Sequence, residues 1–168
     1  MRRPRARGQA LLEFSLVLPV FLILLMAVVD IGRAIWAQNS LASAAREGAR
    51  YAIVHGGSDT TSCPVGPISP DRSKPIPSAS TSCPNPSPSK QSIKDAVTAA
   101  AAAGGTSLSV TVCYGSGCSG DTDSTGASNK RGTPITVAVT SRVNLITSSL
   151  LGLGGFGIST TTTMVVNH

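Results

Sequence analysis

The amino-acid sequence predicts an α+β protein. A long N-terminal transmembrane helix continues into a small domain with an additional helix and a three- to four-stranded antiparallel sheet. Two observations carry this prediction. About twenty mostly apolar residues, from Ala10 to Val29, match the length that crosses a bilayer core of about 30 Å. The last third of the chain instead holds segments in which β-branched residues alternate with polar ones, as in half-buried strands.

The composition limits both the core and the class of partner. Aromatic residues make up only 4% of the 168 residues, so Ala, Val, Ile and Leu must form a thin core. The formal net charge is +6, but its densest group, Arg2, Arg3, Arg5 and Arg7, precedes the apolar run. No basic stripe interleaved with aromatic residues follows, so we expect no nucleic-acid partner.

The arginines and the apolar run together indicate a single-pass membrane segment. By the positive-inside rule, the arginine-rich end stays in the cytoplasm and the C-terminal domain is exported. A cleaved secretory signal peptide is one alternative, but the run exceeds the usual apolar region of about 7–15 residues and no small-x-small site follows it directly. A plain signal anchor is the other alternative, and it leaves the acid Glu13 without a role.

Glu13 is the only charge inside the span, where an ionisable side chain costs a few kcal/mol. Cleavage after Gly8 would give Gln9 a new ammonium group and make Glu13 the fifth residue of the mature chain. An ammonium at the start of one helix would then pair with a carboxylate one turn into a neighbouring helix, in a low-dielectric setting. A processing site at Gly8–Gln9, which the resemblance described next implies, would thus give Glu13 a role in subunit assembly.

This pattern resembles the type IV prepilin signal, and the first third of the chain is similar to TadE-like proteins, pseudopilins of the tight-adherence (Flp) pilus system. The matching pieces are Gly8, Glu13 and Phe14, Leu18–Pro19, the turn formed by Asp30, Gly32 and Arg33, and the run AAREGARYA from Ala44 to Ala52. The resemblance implies cleavage by a membrane prepilin peptidase. It also implies a role in pilus biogenesis alongside other pilin subunits and the assembly machinery.

Within the span, the resemblance adds Phe14 and Pro19 to Glu13 as residues of subunit assembly. Pro19 removes one helical hydrogen bond. Membrane helices tolerate this loss where neighbouring helices satisfy the freed backbone group. The proline therefore predicts either a kink without functional consequence or flexibility that helps the subunit leave the bilayer.

Beyond the span, the helix is expected to continue to about Val54 and to stop at Gly56–Gly57. Between Ile31 and Val54 there is no proline, and small or apolar residues recur at helical spacing: Leu41, Ala42, Ala45, Gly48, Ala49 and Ala52. We expect this stripe to pack against the protein's own sheet, with a neighbouring subunit as the alternative. The opposite face, with Arg46, Glu47 and Arg50, is expected to be solvated.

The expected organisation is a basic leader at 1–8, the long helix at 9–55, a Pro- and Ser-rich loop at 56–89 and an exported, pilin-like domain at 90–168. Cys63 and Cys83 bracket most of the loop, and Cys113 and Cys118 lie close together in the sequence. Four cysteines allow three pairings, of which we favour Cys63–Cys83 and Cys113–Cys118. Zinc binding by all four is the alternative, but none of their spacings is the two-residue kind.

The domain at 90–168 begins with a predicted helix, SIKDAVTAAAAAGG, that buries Ile93, Val97 and Ala100–Ala101. Ser92 and Asp95 resemble a capping box, and Gly104–Gly105 supplies the stop. The strands are SLSVTVC, PITVAVTSRV and ISTTTTMVV. Between the last two, NLITSSLLGLGGFG is a short helix, a loop packed on the sheet, or a contact with the membrane surface.

The loop between the first two strands contains Asp121, Asp123, Thr125 and Gly126, which are spaced like the opening of a calcium loop. The closing glutamate of such a loop is absent, since Gly132 occupies its position. A polar hairpin loop is therefore favoured over a calcium site.

The sequence offers no catalytic motif. His55 and His168 are the only histidines, and no phosphate loop, nucleophile elbow or HExxH pair is present. We expect no enzymatic activity, no cofactor and no small-molecule substrate.

The expected function is a membrane-anchored pseudopilin or minor pilin that takes part in assembly of a tight-adherence pilus used in adhesion. Its expected place is the bacterial cytoplasmic membrane, or the extracellular pilus after incorporation. One alternative is a single-pass, signal-anchored surface or binding protein. The other is a component of a related prepilin-based secretion system.

Overall fold

The computed structural model describes residues 6–55, 90–101, 107–150, 152 and 154–167. The elements are α1 (Ala6–Val54), α2 (Gln91–Ala100), β1 (Ser107–Tyr114), β2 (Pro134–Val143), α3 (Ile146–Leu150) and β3 (Phe156–Val165). The strands form one antiparallel sheet in the order β1-β2-β3. The predicted α+β class is therefore confirmed.

Helix α1 is a continuous element of 49 residues that passes through Pro19. At 1.5 Å per residue it is about 73 Å long. Its N-terminal half is exposed, whereas its C-terminal half buries one face. The buried residues are Ala37, Leu41, Ala44, Ala45, Gly48, Ala49 and Ala52. The predicted continuation to Val54 and the predicted packing against the protein's own sheet are both confirmed.

The sheet faces α1 with one side and solvent with the other. In β2 the residues with odd numbers, from Ile135 to Val143, are buried, and the alternating ones are less so. Val139 of β2 pairs with Val110 of β1 and with Thr160 of β3, which fixes the register of both ladders. The outer face is rich in Ser and Thr, as the alternation in the sequence predicts.

Helix α2 also packs against the small-residue stripe of α1, beside the sheet. Ile93, Val97 and Ala101 are buried, as predicted, whereas Ala100 is exposed. The closest approach is at Gly48, where an added Cβ would overlap the side chain of Val97 and would lie 3.6 Å from Val137 Cγ1. A glycine at this position thus lets α1 contact α2 and β2 at once.

The predicted capping box is wrong. Helix α2 begins at Gln91, one residue before Ser92, and its N-cap position is Lys90, which makes no side-chain cap. Ser92 is therefore already inside the helix, where its hydroxyl cannot cap the first turn. Asp95 instead accepts a hydrogen bond from Gln91 at 2.8 Å. The predicted stop signals at Gly56–Gly57 and Gly104–Gly105 and the loop at 56–89 lie outside the described residues.

The direction in which β2 runs along α1 determines which end of the sheet lies beside the apolar segment. Gly48 lies beside Val137, and Asp30 is hydrogen-bonded to Thr147. Asp30 precedes Gly48 by about 27 Å along the helix. Strand β2 therefore runs back toward the span, and its connection to β3 lies at the boundary of the apolar segment.

Candidate assembly segment and membrane-boundary junction

The predicted processing and assembly residues lie on the exposed first turns of α1. Gly8, Gln9 and Glu13 are all exposed, and an added Cβ at Gly8 meets nothing within 4 Å. The side-chain amide of Gln9 donates to Glu13 Oε1 at 3.5 Å. The two side chains thus share one face of the helix, about 6 Å apart along its axis.

Phe14 and Pro19 do not belong to that face. Phe14 follows Glu13 by about 100° around the helix, and Pro19, six residues after Glu13, lies about 120° from it in the opposite sense. Phe14 is exposed, as are the other large apolar side chains of the span. These side chains are Leu11, Leu12, Leu16, Val17, Leu18, Val20, Phe21, Leu22, Ile23, Leu24, Leu25, Met26, Val28 and Val29. An apolar helical surface of this length fits a membrane-anchored segment.

Asp30 connects the end of this segment to the C-terminal domain. Its Oδ1 accepts the backbone N–H of Ile146 at 2.9 Å, and its Oδ2 accepts both the backbone N–H of Thr147 at 2.8 Å and the Thr147 hydroxyl at 2.6 Å. The guanidinium of Arg33 lies 3.8 Å from Oδ1. The carboxylate is almost fully buried and caps the first turn of α3 from outside that helix.

The acidic loop after β1 covers the edge of the sheet. Asp121 Oδ1 accepts the N–H of Val112 at 2.9 Å, and Asp123 Oδ1 accepts the N–H of Tyr114 at 2.8 Å. Lys90 Nζ donates to the carbonyl oxygen of Val112 at 2.8 Å and to Asp123 at 2.7 Å. These side chains satisfy backbone groups that an edge strand would otherwise leave unpaired.

The same contacts settle the chemistry of this loop. Asp121 Oδ2 also accepts from Lys94 Nζ at 2.7 Å. Burial raises the pKa of Asp121, but hydrogen bonds from Lys94 and from the Val112 N–H, with the charges of Lys94 and Lys90, outweigh it and hold the pKa below its ordinary value. The favoured polar loop agrees with this arrangement, because lysines and backbone amides occupy the oxygens that calcium would need.

Cys113 and Cys118 form the predicted disulfide, with Cα atoms 6.0 Å apart. The bond removes both sulfurs from the proposed four-cysteine zinc alternative. Cys63 and Cys83 lie outside the described residues. Within the part of the chain that the structure describes, no three His, Cys, Asp or Glu side chains are grouped to hold a metal ion.

Comparison with known protein families gives a match to the family described as TadE-like protein, over residues 8–50. Residues 8–50 form the segment that is similar to this family, the TadE-like segment. The match indicates a protein associated with the Tad pilus system, and it confirms the resemblance predicted from the sequence. No curated protein and no solved structure gives a significant match.

The TadE-like segment begins at Gly8 and ends inside the face of α1 that packs on the sheet. It contains Gln9, Glu13, Phe14 and Pro19, and it also contains Asp30. In the sequence, Asp30 belongs to the pattern that resembles TadE-like proteins, but that pattern gives no sign of a distant partner for its side chain. Its partners Ile146 and Thr147 lie more than a hundred residues away in the chain, so no local signal could have identified them.

Proposed function

We propose that this protein is a pseudopilin or minor pilin that is processed after Gly8 and takes part in assembly of a tight-adherence pilus used in surface attachment. In this role the N-terminal arginines remain in the cytoplasm until a prepilin peptidase removes them, and the C-terminal domain is exported. The role is structural, without a cofactor or a small-molecule substrate. The TadE-like match over residues 8–50 supports this class of protein.

One observation carries the assembly role. Glu13 lies exposed on the helix among exposed large apolar side chains, Leu11, Leu12, Phe14 and Leu16, and it is the only charged residue there. Its one described hydrogen bond comes from Gln9, the residue that would bear the new ammonium group. In a bundle of such helices, displaced by about one turn of 5.4 Å, the ammonium of one subunit reaches the carboxylate of the next. Pairing offsets the cost of placing each charge in a low-dielectric setting.

The decisive experiment is mass spectrometry of the protein extracted from membranes of a strain that assembles pili. We expect a mature chain that begins at Gln9. A chain that keeps its N-terminal arginines would contradict the proposal and favour a signal-anchored surface protein. A chain that begins beyond the span would identify a secreted protein instead.

The choice of machine needs a second measurement. Co-purification of the mature chain with tight-adherence pilus components supports the proposed role. Co-purification with a related prepilin-based secretion system, and not with pilus components, would contradict it.

A further inference from the structure

The connection between β2 and β3 lies at the level of the last turn of the span. Ile146 and Thr147 are fixed there by their hydrogen bonds to Asp30. An open groove of about 480 Å³ lies beside them, lined by Met26 of α1 and by Asn144, Leu145, Ile146 and Ser149. The connection therefore faces the apolar segment across this groove, one turn below Asp30 and on the side toward the membrane.

This level corresponds to the edge of the hydrocarbon. If the span ends at Val29, Met26 lies about 4–5 Å inside it. The polar headgroup region adds only about 5–7 Å on each side of the hydrocarbon core. Residues that line one groove with Met26 therefore lie at the level of the headgroup region or the top of the acyl chains.

The polar groups at this junction are hydrogen-bonded within the protein, as a position in the headgroup region requires. The Asp30 carboxylate, nearly inaccessible to solvent, is satisfied by three donors from α3. The hydroxyl of Ser148 donates to the carbonyl oxygen of Leu145 at 2.9 Å, and the N–H of Ser149 donates to the same oxygen at 3.1 Å. Internal pairing of this kind is what a backbone needs where water is scarce.

The side chains at this end of the domain are apolar and open. Ile146 is 44% exposed, and Phe156, which pairs with Val143 at the membrane end of the sheet, is 58% exposed. Trp36, on α1 just beyond Asp30, is also 58% exposed, and tryptophan is enriched at membrane interfaces. The exposed cations at this end, Arg33 and Arg142, match the charge of anionic headgroups.

We propose that the β2–β3 connection is a second membrane contact of this protein. Ile146 and Phe156, together with Met26, form a membrane-proximal apolar surface that rests in the headgroup and upper acyl region of the leaflet from which α1 emerges. The domain would thereby be held close to the bilayer surface. This inference requires that α1 crosses a membrane, and it is independent of cleavage after Gly8.

The test places single tryptophans in the full chain, reconstituted at one copy per phosphatidylcholine–phosphatidylglycerol nanodisc. Trp36 is the only tryptophan, so Trp36→Phe gives a silent background. In that background Ile146→Trp and Phe156→Trp probe the proposed surface. Val165→Trp is the matched control, because Val165 is 48% exposed and lies on the same strand, about 30 Å from Phe156. Phe21→Trp reports insertion of the span.

Lipids brominated near the top of one acyl chain quench tryptophans at the proposed surface, and lipids brominated near the chain end quench position 21, which lies about 12 Å inside the edge at Val29. We expect a several-fold larger fractional loss of emission at positions 146 and 156 than at 165, with strong quenching at 21. Quenching at 21 combined with equal, weak quenching at 146, 156 and 165 overturns this inference and leaves the pilin proposal intact. Emission at 146 or 156 that changes only when several copies share a disc also overturns it, and identifies a subunit contact instead. No quenching at 21 overturns both proposals.

Discussion

Asp30 and Thr147 are separated by 117 positions in the chain, yet two hydrogen bonds join the carboxylate of one to the backbone and hydroxyl of the other, at 2.8 Å and 2.6 Å. This contact connects the end of the apolar segment of α1 to the β2–β3 connection of the sheet. A residue of the family-matched segment thus has its partner in the part of the chain that the family match does not cover.

Removing this contact is expected to loosen the β2–β3 connection. Asp30→Ala removes the nearly buried carboxylate that accepts the N–H groups of Ile146 and Thr147. Losing charge-assisted partners of this kind costs on the order of 2–3 kcal/mol. Thermal unfolding of the detergent-solubilised full chain, followed by circular dichroism, should show a clearly lower Tm. Glu47→Ala, on the exposed face of α1, is the control, and an equal Tm for both variants would contradict the role of Asp30.

Gly48 is expected to tolerate no side chain. Ala is a better helix former than Gly by about 1 kcal/mol, but its Cβ at position 48 overlaps Val97, which is buried and stiff at χ1. Overpacking typically costs about 1–3 kcal/mol, so Gly48→Ala should lower the free energy of unfolding.

Two further variants isolate the clash at Gly48. The double variant Gly48→Ala with Val97→Ala should be less destabilised than the sum of the two single changes, because Val97→Ala removes the overlapping methyl groups. Gly32→Ala, where an added Cβ meets nothing within 4 Å, should be neutral or slightly stabilising. A destabilised Gly32→Ala, or a double variant that is merely additive, would refute the packing explanation.

The ion pair between Lys94 and Asp121 predicts a pH dependence with a definite sign. The pKa of Asp121 is lowered from its ordinary value of 3.8, so its contribution to stability is present above that value and is lost as the pH falls through the lower folded value. The pair is partly exposed, so the contribution is about 1 kcal/mol or less. Asp121→Asn should therefore have a lower Tm than the parent at neutral pH, and the difference should shrink below pH 3.8.

The same profile measured on Asp95→Asn provides the comparison for Asp121. Asp95 is an exposed acid on α2 whose described partner is Gln91. A difference from the parent that grows toward low pH in the Asp121 variant would have the wrong sign and would refute the assigned contacts.

Glu13→Ala is expected to leave insertion and processing largely intact while abolishing pilus assembly. Removing one partner of a desolvated ion pair costs about 3–5 kcal/mol, and here the ammonium of the neighbouring subunit would be left unpaired. Pilus output, measured by shearing and quantitative immunoblotting, should fall more than about tenfold, since each 1.4 kcal/mol is worth a factor of ten. Glu47→Ala, at the other glutamate of the chain, should assemble normally. Normal output from the Glu13 variant would refute the pairing.

Gly8→Leu is expected to block processing without disturbing the fold. An added Cβ at Gly8 has open space around it, so any effect must arise in the peptidase rather than in the protein itself. The precursor should accumulate at its full mass in membranes. Gly32→Leu, at another uncrowded glycine of α1, should be processed normally. Mature protein from the Gly8 variant would disprove the assigned cut.

The sequence was most informative where a single periodic pattern decides the structure. The end of α1, its small-residue face and the three strands follow from local spacing, with the first strand ending one residue later than predicted and the third beginning two residues earlier. The start of α2 could not be predicted from local spacing. The side chain of Lys90 donates to β1 and to Asp123, and the sequence near Lys90 gives no sign of these distant acceptors.

The candidate functional residues also divide into those that local spacing predicts and those that it does not. Gly8, Gln9 and Glu13 are close in sequence, so their shared helical face could be predicted from helical geometry alone. The junction at Asp30 needs the return of β2 along α1, which only the folded chain supplies. The acids Asp121 and Asp123 looked like metal ligands in isolation, and their lysine partners lie about thirty residues upstream.

The attachment of α1 to its domain has a mechanical consequence. The helix is held at two levels, by the packed stripe around Gly48 and by Asp30 about 27 Å nearer the membrane. The sheet can neither slide along the helix nor rotate about it without breaking the packing around Gly48 or the hydrogen bonds of Asp30. A force applied to the N-terminal, apolar end of α1 is therefore transmitted to the sheet, and the helix and the domain move as one rigid body.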